Sequence, residues 1–203
     1  MILGLDAATI AGFLAAGVAL NLTPGADVMF ATASGVVGGP RAGIAAAAGV
    51  SLGSLLHTVL AAAGLAALIA AAPVAYEALR WLGAGYLLYL AVKTWRAGPA
   101  QPGAGARGLG RALAKGFVTN ALNPKVALFI LAFLPQFTRA ETGPAWAQML
   151  LLGGLFSVTG FFVTAGYGAM AGLAARGLAR ATGWLNRVAA VVFGLIAIKL
   201  VLD

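Results

Sequence analysis

The sequence predicts an all-α integral membrane protein of about six transmembrane helices, built as two inverted three-helix repeats with helices 1 and 4 broken at Pro24 and Pro124. Three observations lead there. Of 203 residues, 62% are hydrophobic and 9% charged, with a mean hydropathy of +0.97, whereas an ordinary soluble domain carries about 25% charged residues. The uncharged runs suit a hydrocarbon core about 30 Å thick, which takes about 20 helical residues to cross. Proline-centred polar strings interrupt two of those runs at matching places.

Uncharged stretches and helix breakers place the spans at residues 6–33, 41–71, 73–95, 111–136, 145–174 and 182–202. The first has no Lys or Arg ahead of its apolar run, so it reads as a permanent span and not as a cleavable signal. Gly38-Gly39-Pro40-Arg41 reads as a tight cytoplasmic turn into the second span, anchored by Arg41. The third span carries Glu77 and Arg80 near its start, and its aromatic residues Trp81, Tyr86, Tyr89 and Trp95 suit the two membrane interfaces. Within the second and fifth spans, Gly49 with Gly53 and Gly168 with Gly172 form small-xxx-small pairs that admit a neighbouring helix.

The chain is expected to be a single transmembrane domain, 1–203. Its first half is 1–97 and its second half 111–203, joined by a flexible cytoplasmic loop at 98–110 whose Gly, Pro and Ala have little to bury. Three spans per half make the second half enter from the opposite face, the arrangement of an inverted repeat. If loops alternate sides, Arg41, Lys93, Arg96, Arg107, Arg111, Lys115, Arg176, Arg180 and Arg187 share one face, against Arg80, Arg139 and Lys199 on the other. The richer face is expected to be cytoplasmic, leaving both termini on the non-cytoplasmic side. The formal net charge of +8 therefore reflects membrane orientation, and no nucleic-acid partner is expected. With no cysteine present, thiol catalysis and disulfides are excluded. No cofactor is expected, and no metal site, since there are no paired acids.

The polar strings carry the candidate site. Asn21-Leu22-Thr23-Pro24-Gly25-Ala26-Asp27 lies where a bilayer asks for apolar residues, and Asn120-Ala121-Leu122-Asn123-Pro124-Lys125 repeats the pattern. Proline lacks an N–H and collides with the carbonyl four residues back, so Pro24 should release the oxygen of Leu20 and Pro124 that of Asn120. Unpaired backbone is tolerable in a membrane only inside protein or beside a wet cavity. Broken helices present N–H groups at one end and freed carbonyls at the other, the partners of a carboxylate and an ammonium. A zwitterion is thus expected to dock among Asn21, Thr23, Pro24, Gly25, Asp27, Asn120, Asn123, Pro124 and Lys125.

Asp27 is the acid deep in an apolar span, where a carboxylate costs at least ~2.5 kcal/mol on insertion scales. It is a candidate proton carrier. Its alternatives are a structural partner for Lys125 or a place near the interface. Lys125 is a candidate to neutralise Asp27, attract a carboxylate or snorkel to the surface. His57 reads first as an interhelical hydrogen-bonding group and second as a transport or pH-sensing residue. Ser54 and His57, three apart on one helical face, keep open an intramembrane serine hydrolase, and broken helices would also serve an ion channel. No second histidine accompanies them.

These strings, together with Gly38-Gly39-Pro40-Arg41-Ala42-Gly43 and Phe133-Leu134-Pro135-Gln136-Phe137, resemble the lysine exporter (LysE/RhtB) family of amino-acid translocators in order and spacing over essentially the whole chain. Where that family often has a second proline after Pro-Gly, this chain has Ala26. The resemblance implies a bacterial inner-membrane secondary transporter that exports an amino acid or derivative, commonly in exchange for protons, with possible homodimerisation and the lipid bilayer as its surroundings.

Overall fold

The computed structural model describes residues 2–96 and 105–202. Residues 98–104, most of the loop expected at 98–110, lie outside the described residues. The chain forms α1 (Ala7–Leu22), α2 (Ala26–Gly38), α3 (Pro40–Ala71), α4 (Pro73–Arg96), α5 (Leu109–Ala121), α6 (Pro124–Leu128) and α7 (Ala145–Leu202). After α6 the helix widens into a π turn at Phe129–Phe133 and tightens into a 3-10 turn at Leu134–Phe137. Pro135, which has no N–H to continue the ladder, sits at that transition. No strand occurs among the described residues beyond an isolated bridge from Ile2 to Leu5.

Both proline strings break their helices in the same way. The residue before each proline is driven out of the helical region by the ring: Thr23 is extended (φ −70°, ψ 119°), and so is Asn123 (φ −84°, ψ 106°). The α1–α2 axis bends by 52°, and the pair Leu109–Ala121 and Pro124–Phe137 bends by 52° as well. The turn into α3 also forms as expected, with Gly39 at φ +80° where a side chain would be strained.

Pro40–Gly64 and Ala145–Ala171 are each long and apolar enough to cross a membrane unbroken, and each bent pair is a candidate for one more crossing. The charged α4 and the short apolar stretch Asn186–Ile198 fall outside that criterion.

The separate fifth and sixth helices expected at 145–174 and 182–202 are joined by continuous helical backbone in α7. The chain nevertheless reverses within it. Gln148 reaches Leu3 through a 3.0 Å hydrogen bond, and Ile196 lines a groove with Gly12. A straight helix would separate Gln148 from Ile196 by roughly 72 Å, yet Leu3 and Gly12 are joined by a segment that reaches at most about 32 Å.

Small residues bring these helices close. A Cβ on Gly49 would collide with the Leu113 carbonyl, and one on Gly116 with that of Ala46, so α3 and α5 touch backbone to backbone. Gly35 of α2 and Gly43 of α3 both press on Gly168 of α7. Outside these seams the packing is aromatic: Phe13, Phe129, Phe133, Phe137 and Phe156 stack with ring centroids 4.8 to 5.9 Å apart between neighbours. Leu82, Leu88, Phe162, Leu173 and Leu195 are exposed, as lipid-facing side chains should be.

Candidate functional site

The two breaks meet, and each is completed by side chains from the other half. Asp27, in the first turn of α2, is 5% exposed, and its Oδ2 accepts hydrogen bonds from Asn120 Nδ2 at 3.0 Å and Asn123 Nδ2 at 2.7 Å. Those donors sit at the end of α5 and at the amino end of α6. Lys125 is 7% exposed, and its Nζ donates to the carbonyls of Leu20 and Thr23, 3.3 Å away in each case. The second half thus holds the acid of the first, and the first half holds the cation of the second.

The freed carbonyls are accounted for residue by residue. Leu20 O, four residues before Pro24, takes the Lys125 ammonium. Asn120 O, four before Pro124, lies 3.2 Å from His57 Nε2. Tyr167 Oη donates to Leu22 O at 3.3 Å, and Thr23 Oγ1 returns to Ala19 O at 2.8 Å. Buried polar backbone is therefore paired, as the apolar surroundings require. Asn123 also caps α6, its Oδ1 accepting from Lys125 N–H at 3.0 Å, with Pro124 at the position that needs no donor. Gly25 has a steric role: a Cβ there would stand 2.9 Å from Lys125 Nζ.

Several sequence expectations change. Lys125 does not snorkel; its ammonium occupies the carbonyls that were expected to await a ligand, and it shares the cavity wall with Asp27 without a direct ion pair between them. Ser54 Oγ donates to Asn120 Oδ1 at 3.4 Å while His57 binds the same residue's backbone, so Ser54 and His57 are both committed to Asn120 and form no hydroxyl–base pair.

A small cavity remains at the meeting point. It is lined by Asn21, Asp27, Val28, Val50, Ser51, Ser54, Asn120, Lys125, Val126, Gly160 and Thr164, and offers about 10 Å³ to the centres of water-sized spheres. That is room for about one water. Of the residues expected from sequence, Asn21, Asp27, Asn120 and Lys125 line it. Thr23, Pro24, Gly25, Asn123 and Pro124 do not, and instead shape or brace the break. Asn21 is itself tied to α7, donating to Phe156 O and Thr159 Oγ1 at 3.4 Å each. Sequence reasoning passed over Ser51, Gly160 and Thr164; Ser51 lies between Gly49 and Gly53, which read only as helix-packing glycines. Among the lining residues, Asp27 Oδ1 and Ser51 Oγ are both buried without a hydrogen-bond partner.

Fold and site together define an all-helical integral membrane protein with a buried polar centre at paired helix breaks. The chain belongs to the LysE type translocator family, which it matches over residues 18–203. It is 33% identical to the homoserine/homoserine lactone efflux protein of Salmonella typhimurium over 78% of each chain. An uncharacterized membrane protein of Vibrio cholerae is 32% identical, again over 78% of each. The leucine efflux protein of Klebsiella pneumoniae is 37% identical over 62% of this chain and 61% of that protein. No solved structure matches. Membership in a translocator family bears out the reading of this chain as a transporter and not an enzyme.

Proposed function

We propose that this protein exports a small amino acid from the cytoplasm across the bacterial inner membrane, in exchange for protons and by alternating access. The reading rests chiefly on the reciprocal bonding of the two breaks, in which Asn120 and Asn123 hold Asp27 while the Leu20 and Thr23 carbonyls hold Lys125. Relatives named for homoserine and leucine efflux support the direction and the substrate class.

A cavity of about 10 Å³ has no space for an amino acid, so substrate enters only when the halves part. Opening must break the bonds that join them. Hydrogen bonds to an ionised carboxylate are roughly twice as strong as neutral ones. Protonation of Asp27 therefore loosens its tie to Asn120 and Asn123 and favours opening. A proton and a substrate ammonium also compete for the same carboxylate, which couples inward proton movement to outward substrate movement. Lys125 turns to the substrate carboxylate, and the amino end of α2 contributes its N–H groups.

In this reading α4 and residues 182–202 supply the remaining crossings of a six-span, inverted 3+3 repeat. The halves are related by an offset of 100 residues, with Leu20, Thr23 and Pro24 corresponding to Asn120, Asn123 and Pro124. The basic face is cytoplasmic, both termini are outside it, and the loop at 98–110 joins the halves; two copies form a homodimer. The membrane potential adds about 2.3 kcal/mol per charge per 100 mV, enough for roughly fiftyfold accumulation per charge moved at 100 mV.

Efflux from loaded proteoliposomes under an imposed pH gradient tests this. Wild type should accelerate when the outside is made acidic, and Asp27→Asn should lose that response. Equal responses in the two proteins would remove Asp27 from the coupling.

A further inference from the structure

We propose that Ser51 selects the exported amino acid, its hydroxyl bonding the side-chain hydroxyl of a short neutral substrate whose ammonium rests on Oδ1 of Asp27. The inference builds on the efflux reading above and adds to it a substrate-selecting residue and a substrate class.

The two carboxylate oxygens of Asp27 are unlike. Oδ2 is saturated by two amide donors, while Oδ1 is buried and unpaired. Ser51 Oγ is the other unpaired buried polar atom among the residues lining this cavity. Helical hydroxyls have a ready local solution, donation to the carbonyl four residues back. Thr23, Thr58, Thr119 and Ser157 all use it. Ser51 does not, so its hydroxyl stays available on the wall of the cavity that Asp27 also lines. A buried polar atom left unpaired costs about 1–3 kcal/mol, and a ligand with a cation and a hydroxyl relieves both costs together.

Charge and shape narrow the class. The lining residues carry one acid and one base, Asp27 and Lys125. A zwitterion with a neutral side chain leaves that balance intact. A basic amino acid would bring a second cation with no acid to meet it, at a cost of several kcal/mol in a buried site. Val28, Val50 and Val126 form the apolar part of the wall and suit a short aliphatic stem.

The test is counterflow in proteoliposomes with L-homoserine and L-norvaline offered together, since they differ only in a terminal hydroxyl against a methyl. L-lysine is measured in parallel. Because both compounds are read in one preparation, their ratio does not depend on how much protein folds. Wild type should prefer homoserine by about tenfold or more and leave lysine at background. Ser51→Ala should bring the preference close to unity, and Ser51→Thr, which keeps the hydroxyl, should restore most of it. An unchanged ratio in Ser51→Ala overturns the role of Ser51, and lysine carried as fast as homoserine overturns the charge argument. Both results leave efflux itself standing. Failure of wild type to carry any of the three would remove the efflux reading and this inference with it.

Discussion

Lys125 Nζ lies 3.3 Å from the carbonyl oxygen of Leu20, so the cation of the second helix break fills the hydrogen-bond vacancy that Pro24 creates in the first. The carbonyl, left without its α-helical partner by Pro24, keeps a 3.2 Å hydrogen bond from Thr23 N–H and takes the ammonium as its second donor. Lys125 is thus structural before any substrate arrives, and its removal is felt in stability as well as in transport.

Lys125→Met keeps the unbranched stem of the side chain, one atom shorter, and removes the charge. It strips one donor from Leu20 O and the ammonium from Thr23 O, and losing a partner of this kind costs about 1–3 kcal/mol. A clear fall in melting temperature in detergent is expected, together with loss of efflux. A variant that melts like wild type would show that these carbonyls find other partners.

Asn123 serves two elements at once, donating to Asp27 Oδ2 and capping α6. Asn123→Ala should cost about 1 kcal/mol for the cap alone, and more for the amide. A double-mutant cycle with Asp27→Asn isolates the second part. Contacting polar residues couple by about 0.5–3 kcal/mol, so additive melting shifts would contradict the hydrogen bond across the halves.

Gly49 and Gly64 lie on the same helix with opposite expectations. A Cβ on Gly49 meets the Leu113 backbone, whereas one on Gly64 meets nothing within 4 Å. Gly49→Ala should drive α3 from α5 and sharply reduce the yield of folded protein. Gly64→Ala should be neutral or stabilise by about 0.5–1 kcal/mol through helix propensity. Similar yields and melting points for the two variants would refute the close α3–α5 seam.

Asp6, ahead of α1, accepts from Thr9 N–H at 2.7 Å and pairs with Arg139 at 3.4 Å. The hydrogen bonds from Thr9 first, and the Arg139 guanidinium to a lesser degree, hold its carboxyl below the ordinary value of 3.8. With the folded-state value depressed, its contribution is present above 3.8 and disappears as pH falls through the folded value. The melting-temperature gap between wild type and Asp6→Ala should therefore be constant near neutrality and close under acid. A gap that widens as pH falls would reverse the sign and reject the cap.

Much of the architecture was legible in the residues. Pro24 and Pro124 announced both breaks, and the carbonyls of Leu20 and Asn120 followed from proline geometry without reference to tertiary structure. Gly38-Gly39-Pro40 announced the turn between α2 and α3, and Gly49 announced a close helix neighbour. Less legible was the join between the fifth and sixth helices. Residues 175–181 contain Gly177 but no proline, so no backbone donor is missing and the helical hydrogen bonds run on even though the chain must reverse.

Local covalent geometry acts within a few residues, and for that reason the sequence by itself determined where the helices break, which oxygens they release and that the breaks must be interior. Partners lie 63 to 105 residues away for His57 with Asn120 and for Lys125 with Leu20, a range over which no local rule operates. Only the tertiary structure decided that the Lys125 ammonium binds the Leu20 and Thr23 carbonyls, that Asn120 and Asn123 answer Asp27, and that Ser51, on the wall of the same cavity, stands unpaired. Packing chooses among partners that composition merely makes available.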